Sequence, residues 1–400
     1  MEKMINAEMM RLGNNRSVIR DIFEYGNQRA KIVGRENVFD FSLGNPNVPA
    51  PAKVGQVIEK ISKMDPVAIH GYTSAPGSEA CRKAMADDLN CRFGTSYRPE
   101  NFYMTCGAAA SLMITLRALV AAPTDEVIVF APFFPEYQMW IESSAKAKCV
   151  IIPAQIEDFQ IDFATLEEKL NENTKALIIN SPNNPCGVIY SDETIRRLAE
   201  LLEKKSAQYG HPIYLISDEP YREIVFDGKE VRFIAPVYRN TIVCYSFSKS
   251  LSMPGERIGY ILVPDCVENA ADVYAAVCGA GRALGYVCAP AMFQMIAAEC
   301  VGQTSDISIY ETNRKLLLDG LRSFGYTCVA PGGAFYLFPR SLEADAGAFC
   351  EKAKKYDLLL VPGDGFGTPG HFRISYCVQT ETIERALPLF KKLAEDYGIR

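Results

Sequence analysis

The sequence predicts an α/β protein, a mostly parallel sheet sandwiched by helices with a smaller α+β domain attached, and three observations predict it. From about residue 100, short apolar runs alternate with turns rich in Gly, Pro or Asn and with amphipathic stretches, the rhythm of repeated strand-helix-strand units. The runs are nearly continuously apolar, as strands covered by helices on both faces must be. After about residue 304 the rhythm changes to long helical stretches around GGAFYLF, DLLLVPG and HFRISYC.

Taken in order, the first 45 residues contain a helix candidate, Ser17 to Lys31, and too little chain for a domain of their own. They are expected to pack on residues 304–400, leaving 46–303 as the large domain. Strands are expected at Phe102–Thr105, Val127–Phe130, Cys149–Ile152, Ala176–Ile179, Ile213–Ile216 and Thr241–Cys244. Between the fourth and fifth runs, Ser191 to Ala207 predicts a helix. Ile195, Leu198, Ala199 and Leu202 share a face, Ser191 caps the first turn, Asp192 and Glu193 suit its positive end, and Lys204 and Lys205 suit the other.

Composition bounds the function. A chain of 400 residues exceeds what one core usually organises, and 48% apolar with 22% charged residues is ordinary for a folded protein. A net charge of −6, with no basic run, gives no footprint for nucleic acid. The first residues lack an apolar secretion core and no run of eighteen apolar residues occurs, so a cytoplasmic location without membrane spanning is expected. The 13 cysteines form no CxxC pair and only His70, His211 and His371 exist, so neither a disulfide framework nor a metal site is indicated.

In an open parallel sheet, ligands bind beyond the carboxyl ends of the strands, so the residues that follow each run are read together. After the run at 102 come Gly107, Ala108 and Ala109, small residues opening a helix whose free N–H groups suit a phosphate; a tight connection alone would also explain them. After the run at 176 comes Asn184 in a rigid turn, which turn chemistry alone also accounts for. After the run at 213 come Asp218 and Tyr221, where a buried carboxylate must find a partner or serve as a cap. After the run at 241 comes Lys249, with Ser246, Ser248 and Arg257 beside it. A lysine's commonest place is in solvent, but hydroxyls and a fixed cation suit a phosphate, and a lysine beside a cation in a dry site shifts toward its nucleophilic amine.

Phosphate site plus amine suggests pyridoxal 5'-phosphate, which needs an amine for its aldehyde, a carboxylate for its pyridine nitrogen, donors for its ring oxygen and an anion site. Lys249, Asp218, the pair Asn184 and Tyr221, and the residues around Arg257 meet these needs in turn. Phe134 is placed to stack on the ring or to join the core.

With these residues in view, the chain resembles the class I/II pyridoxal-phosphate-dependent aminotransferases, with the fold type I architecture also seen in aspartate aminotransferases. The matching pieces are SLGNP from 42, GYTSAPG from 71, CGAAASL from 106, PFFPEY from 132, NSPNNPCG from 180, SDEPY from 217, SFSK from 246, PGERIGY from 254 and FRIS from 372. The resemblance implies that Lys249 binds the cofactor covalently and then shuttles the substrate α-proton. It implies that Arg373 takes the substrate α-carboxylate in a two-pronged ion pair, helped by Asn184 and the Gly44 backbone. Tyr72 would reach the phosphate of a neighbouring subunit, which makes the enzyme a homodimer with shared sites. Arg282 sits where some relatives reach a distal carboxylate from the partner subunit, with Arg16 and Arg20 as rivals. A ping-pong exchange with aspartate or another dicarboxylic donor and a 2-oxo acid follows. Departures are that Phe134 has no polar handle, Ala108 and Ala109 offer backbone donors only, and Cys186 replaces a common hydroxyl residue.

Other readings compete. A carbon-sulfur β-lyase would use the same Lys249, Asp218 and Arg373. Ser246 to Lys249 also fits the SxxK pattern of Ser-Lys hydrolases, whose KTG and SDN partners are missing. Gly365 to Gly370 fits GxGxxG but precedes a strand rather than a helix and reads as a loop. A cofactor-binding regulator lacks any preceding helix-turn-helix.

Overall fold

The apolar runs become strands whose register carries the polar residues behind them to one edge. In the structure, a computed structural model that describes residues 4–14 and 18–399, the strands are β1 (Phe39–Asp40), β2 (Phe102–Thr105), β3 (Glu126–Phe130), β4 (Lys148–Ile152), β5 (Thr174–Asn180), β6 (Tyr214–Asp218), β7 (Thr241–Ser246), β8 (Gly259–Leu262), β9 (Tyr336–Leu337), β10 (Leu358–Leu359), β11 (Val361–Pro362) and β12 (Phe372–Ser375). Seven form the main sheet in the order β2-β8-β7-β6-β5-β3-β4. The pairs from β7 through β4 are parallel, whereas β8 is antiparallel to both β7 and β2.

Register decides which residues meet. Asn180 lies opposite Asp218, and Ser246 and Thr105 both lie opposite Gly259. Asn180, Asp218 and Ser246 therefore end their strands side by side, at the carboxyl edge where an open parallel sheet binds its ligands. Glycine is needed at 259, because a Cβ there would sit 2.2 Å from the Tyr245 carbonyl oxygen and 3.0 Å from Gly107 Cα. The turn that opens the helix Ala108–Leu119 thus packs directly against β8.

The helix foreseen at 191–207 spans Asp192–Tyr209. Ser191 Oγ accepts from the Thr194 N–H at 3.0 Å, and Gly210 closes the far end at φ 73°. Its buried Ile195, Leu198 and Leu202 face the sheet core, each contributing about 1.5–3 kcal/mol on burial. The helix read from Ser17 to Lys31 runs Val18–Val33, and a shorter helix not foreseen in the sequence, Ala7–Asn14, precedes it; Ser17, read as the first residue of the longer helix, lies outside the described residues. β1 pairs in parallel with β10, and Arg29 Nε lies 2.6 Å from Asp357 Oδ1. This ties the N-terminal segment to residues 357–359. Phe41 joins Phe335, Phe349, Phe372 and Phe390 in one core between the helices Ser308–Ser323 and Thr380–Glu395.

The strand β8 was not among the expected runs. Its apolar stretch is four residues long and is entered from Arg257 at φ 50°, so it lay hidden inside a polar motif. Because β8 is antiparallel, β2 joins the sheet through an antiparallel ladder rather than a parallel one. Among the described residues no helix is long and apolar enough to cross a membrane.

Candidate active site

The carboxyl edge of the main sheet opens into a cavity of about 270 Å³ that brings together Lys249, Asp218, Tyr221, Asn184, Arg257 and Arg373. Lys249 stands on the single-turn helix Phe247–Ser250 that β7 leads into, and Ser246 Oγ caps that turn by accepting from the Ser248 N–H at 3.1 Å. Lys249 Nζ donates to the Gly44 carbonyl at 2.6 Å. Burial pushes its amine down to about 8; Arg257 and Arg373 push the same way and Cys377 opposes. A neutral, nucleophilic amine is therefore accessible near neutral pH.

Beside it lies an anion cradle. Ser246 Oγ and Ser248 Oγ are 2.7 Å apart, and Arg257 Nη1 donates to Ser248 Oγ at 3.3 Å. Gly107, at φ 85°, leaves room for this guanidinium, since a Cβ there would meet Arg257 Nη2 at 2.6 Å. Gly107 itself does not line the cavity, whereas Ala108 and Ala109 do, at the positive end of their twelve-residue helix.

Asp218 faces the cavity at the end of β6. Tyr137 O–H donates to its Oδ2, while Oδ1 is buried with no hydrogen-bond partner among the described residues. Burial pushes this carboxyl up to about 7, Glu219 adds to the rise and the Tyr137 bond opposes it. An unmet acceptor on a buried acid calls for a donor, and a protonated pyridine nitrogen is such a donor. Together with the buried amine and the cradle of hydroxyls, helix N–H groups and Arg257, the donor set fits pyridoxal phosphate.

Opposite this group stands Arg373 on β12. It donates from Nη1 to Asn184 Oδ1 at 3.0 Å and from Nη2 to the Ser42 carbonyl at 2.5 Å, and its Nε is buried without a partner among the described residues. Tyr336 lies 4.8 Å from the guanidinium at its ring centroid, and its hydroxyl is 3.0 Å from that of Tyr221. Gly44 lets this packing close, because a Cβ there would fall 1.9 Å from Tyr336 Oη.

Phe134 lines the cavity with its ring edge-on to Tyr137 and Trp140. Tyr72, at 90% exposure, and Arg282, exposed on the helix Ala270–Ala283, stand outside the cavity of their own chain. Arg20 is exposed, though its neighbour Ile19 lines the cavity; Arg16 lies outside the described residues. Sequence reasoning missed Tyr137 and Tyr336. Both sit inside quoted motifs, Tyr137 at the end of PFFPEY and Tyr336 within GGAFYLF, and a hydroxyl in an otherwise apolar or turn motif was the available signal.

The competing motifs find no support in the geometry. Lys249 Nζ bonds to a backbone carbonyl rather than to Ser246, whose hydroxyl pairs with Ser248. Residues Gly363–Phe366 form a 3-10 turn ahead of β12, so no helix opens at Gly370. His371 is buried and stacked on Phe338, away from the cavity.

Comparison with known proteins agrees with this architecture. The family model described as aminotransferase class I and II matches residues 36–389. A solved amino transferase from Eubacterium rectale is 56% identical, with a TM-score of 0.96 over 98% of this chain and 99% of its own. The aspartate aminotransferase of Thermotoga maritima is 27% identical in its solved structure, with a TM-score of 0.86 over 97% and 99%. A putative aminotransferase of Bacillus subtilis is 31% identical over 80% of this chain and 83% of its own. The fold is thus fold type I, and a match spanning nearly the whole chain places this protein, as a pyridoxal-phosphate-dependent enzyme, in the class I and II aminotransferase family.

Proposed function

We propose that the enzyme exchanges an amino group between an L-amino acid and a 2-oxo acid in two half-reactions that share one cavity, with aspartate or another dicarboxylic acid as donor. The observation that carries the reading is the convergence of a buried amine near pH 8, an acid with an unmet oxygen and a buried guanidinium around one space.

Bound pyridoxal phosphate supplies an aldehyde and an electron-accepting ring. The chain's own residues do the rest. Ser246, Ser248, Arg257 and the N–H groups at Ala108 and Ala109 hold the phosphate. Asp218 would keep the pyridine nitrogen protonated, Asn184 and Tyr221 would hold the ring oxygen, and Phe134 would supply an apolar wall for the ring. Arg373, oriented by Asn184, grips the α-carboxylate and so aims the Cα–H bond at Lys249. The Lys249 amine, lying in the same cavity, would take the α-proton from the substrate and hold it for return to the bound cofactor-substrate pair, so that no net proton is lost from the site.

The dicarboxylic preference is supported by the names of relatives such as the aspartate aminotransferase of Thermotoga maritima. The cavity's own cations, Lys249, Arg257 and Arg373, all have roles in this reading, so a distal carboxylate needs a cation from beyond it. Arg282 of a second copy is the candidate. The exposure of Tyr72 fits the same homodimer, in which each site borrows a phosphate contact across the interface.

Mixing the holoenzyme with L-aspartate, L-alanine and L-cystathionine in turn, without an oxo-acid acceptor, tests the reading. Aspartate is expected to convert the visible cofactor absorbance to the shorter-wavelength pyridoxamine band and to release one equivalent of oxaloacetate. Sustained pyruvate release from cystathionine, with no stoichiometric exchange from aspartate, would make the enzyme a carbon-sulfur β-lyase instead.

A further inference from the structure

Behind Asp218 lies a second buried acid that the cavity does not use. The Glu219 N–H continues the β6 ladder to the Cys244 carbonyl, and strand alternation turns its side chain to the face opposite Asp218. Asp218 meets Tyr137 in the core that holds Trp140 and Cys244; Glu219 meets Arg222 among Tyr245, Phe233 and Tyr260.

Glu219 and Arg222 are only 3% and 4% exposed, with Arg222 Nε 2.8 Å from Glu219 Oε2. Ser217 Oγ donates to Glu219 Oε1 at 2.7 Å. Arg222 Nη2 donates to Tyr260 Oη at 3.0 Å, and the guanidinium lies 4.5 Å from the Tyr245 ring centroid. Neither residue lines the active-site cavity. A buried ion pair is seldom better for stability than apolar side chains of the same volume, so its place one residue from Asp218 asks for an electrostatic account.

We propose that Arg222 is a positioning residue for the cofactor site: from behind the sheet its cation cancels Glu219, leaving Asp218 the one uncompensated acid of the adjoining pair. The proposal rests on Asp218 being the cofactor's partner.

The groups facing the pair define the coupling. Asp218 is faced by Tyr137 from the helix Glu136–Met139, by Cys244 from β7 and by Tyr221 from the following turn. Glu219 is faced by Arg222 and Glu223 from that turn, by Cys244 and by the more distant Tyr97 and Tyr260. Among the described residues Arg222 is the one cation in contact with Glu219; Arg92 stands a step further out, paired with Glu223 at 3.1 Å and so offsetting that charge. Two neighbouring buried carboxyls without Arg222 share a proton instead of both ionising. Removing Arg222 therefore raises the midpoint at which Asp218 ionises, and removing the Glu219 charge lowers it.

The opposite signs make the test. In the apoprotein, the Asp218 carboxyl is followed against pH by infrared difference spectroscopy, with Asp218→Asn as the assignment control. The pyridoxal phosphate dissociation constant is measured across the same range. Arg222→Met is expected to raise the midpoint by about one unit and to weaken cofactor binding about tenfold near neutral pH. Glu219→Gln is expected to lower the midpoint, and the double variant to return it close to wild type. Equal midpoints in all variants, shifts of the same sign in both single variants, or a double variant as displaced as Arg222→Met would overturn the proposal. If Arg222→Met does not fold by circular dichroism, the near-isosteric Glu219→Gln decides alone: a lowered midpoint supports the coupling and an unmoved or raised one rejects it. An Asp218→Asn variant that binds cofactor as wild type does would overturn the cofactor-partner reading, a failure separate from that of the carboxyl coupling.

Discussion

Arg373 shows how much a single side chain determines in this site. It is 2% exposed, spends its two Nη groups on Asn184 and the Ser42 carbonyl, and keeps Nε free of partners among the described residues. Replacing it with alanine removes a two-pronged charged contact worth about 3 kcal/mol. The KM for amino donors is expected to rise about 100-fold, with the cofactor dissociation constant nearly unchanged, because no Arg373 bond reaches the phosphate cradle. Steady-state kinetics and a cofactor titration read the two effects separately; equal losses in both would contradict the role. Lys249, Asp218 and Asn184 were legible in the sequence because each ends a strand or follows one within four residues, and Arg257 because it shares the polar motif that links β7 to β8. Tyr137 and Tyr336 were not, since their partners lie 81 and 115 residues away and only the folded sheet brings them together.

Elements were legible where two signals coincide. The helix Asp192–Tyr209 has an apolar face, a serine cap and a closing glycine, and it forms as read, two residues longer at its end. Its cap belongs to the element rather than to the site, so Ser191→Ala is expected to lower stability by about 1 kcal/mol, measured by denaturant unfolding, without altering cofactor affinity. A loss of cofactor binding in that variant would mean the helix is coupled to the cavity. Strand β8 shows the converse. Four apolar residues behind a polar loop carry too short a period to separate from a turn, and their antiparallel pairing with β7 and β2 shows only in the folded sheet. The segment Trp140–Ala145, a wide helical turn that follows Tyr137, likewise leaves no distinct pattern in the sequence.

At the scale of the whole molecule, the α/β alternation predicted the sheet because each buried parallel strand needs an apolar run and each crossover needs a helix. The same logic cannot see a second chain. Val67 and Tyr72, at 78% and 90% exposure within one short segment, and Val287 at 64% are large apolar groups left in solvent on one copy, and the proposed homodimer would cover them. The central claim, that this fold presents Lys249 as the residue that holds pyridoxal phosphate, is tested most directly by reducing the holoenzyme with borohydride, which fixes a lysine-bound cofactor irreversibly, and mapping the pyridoxyl group by peptide mass spectrometry. The label is expected on the peptide containing Lys249 and on no other lysine; a label on a different lysine, or an unlabelled Lys249 in cofactor-saturated protein, would contradict the account.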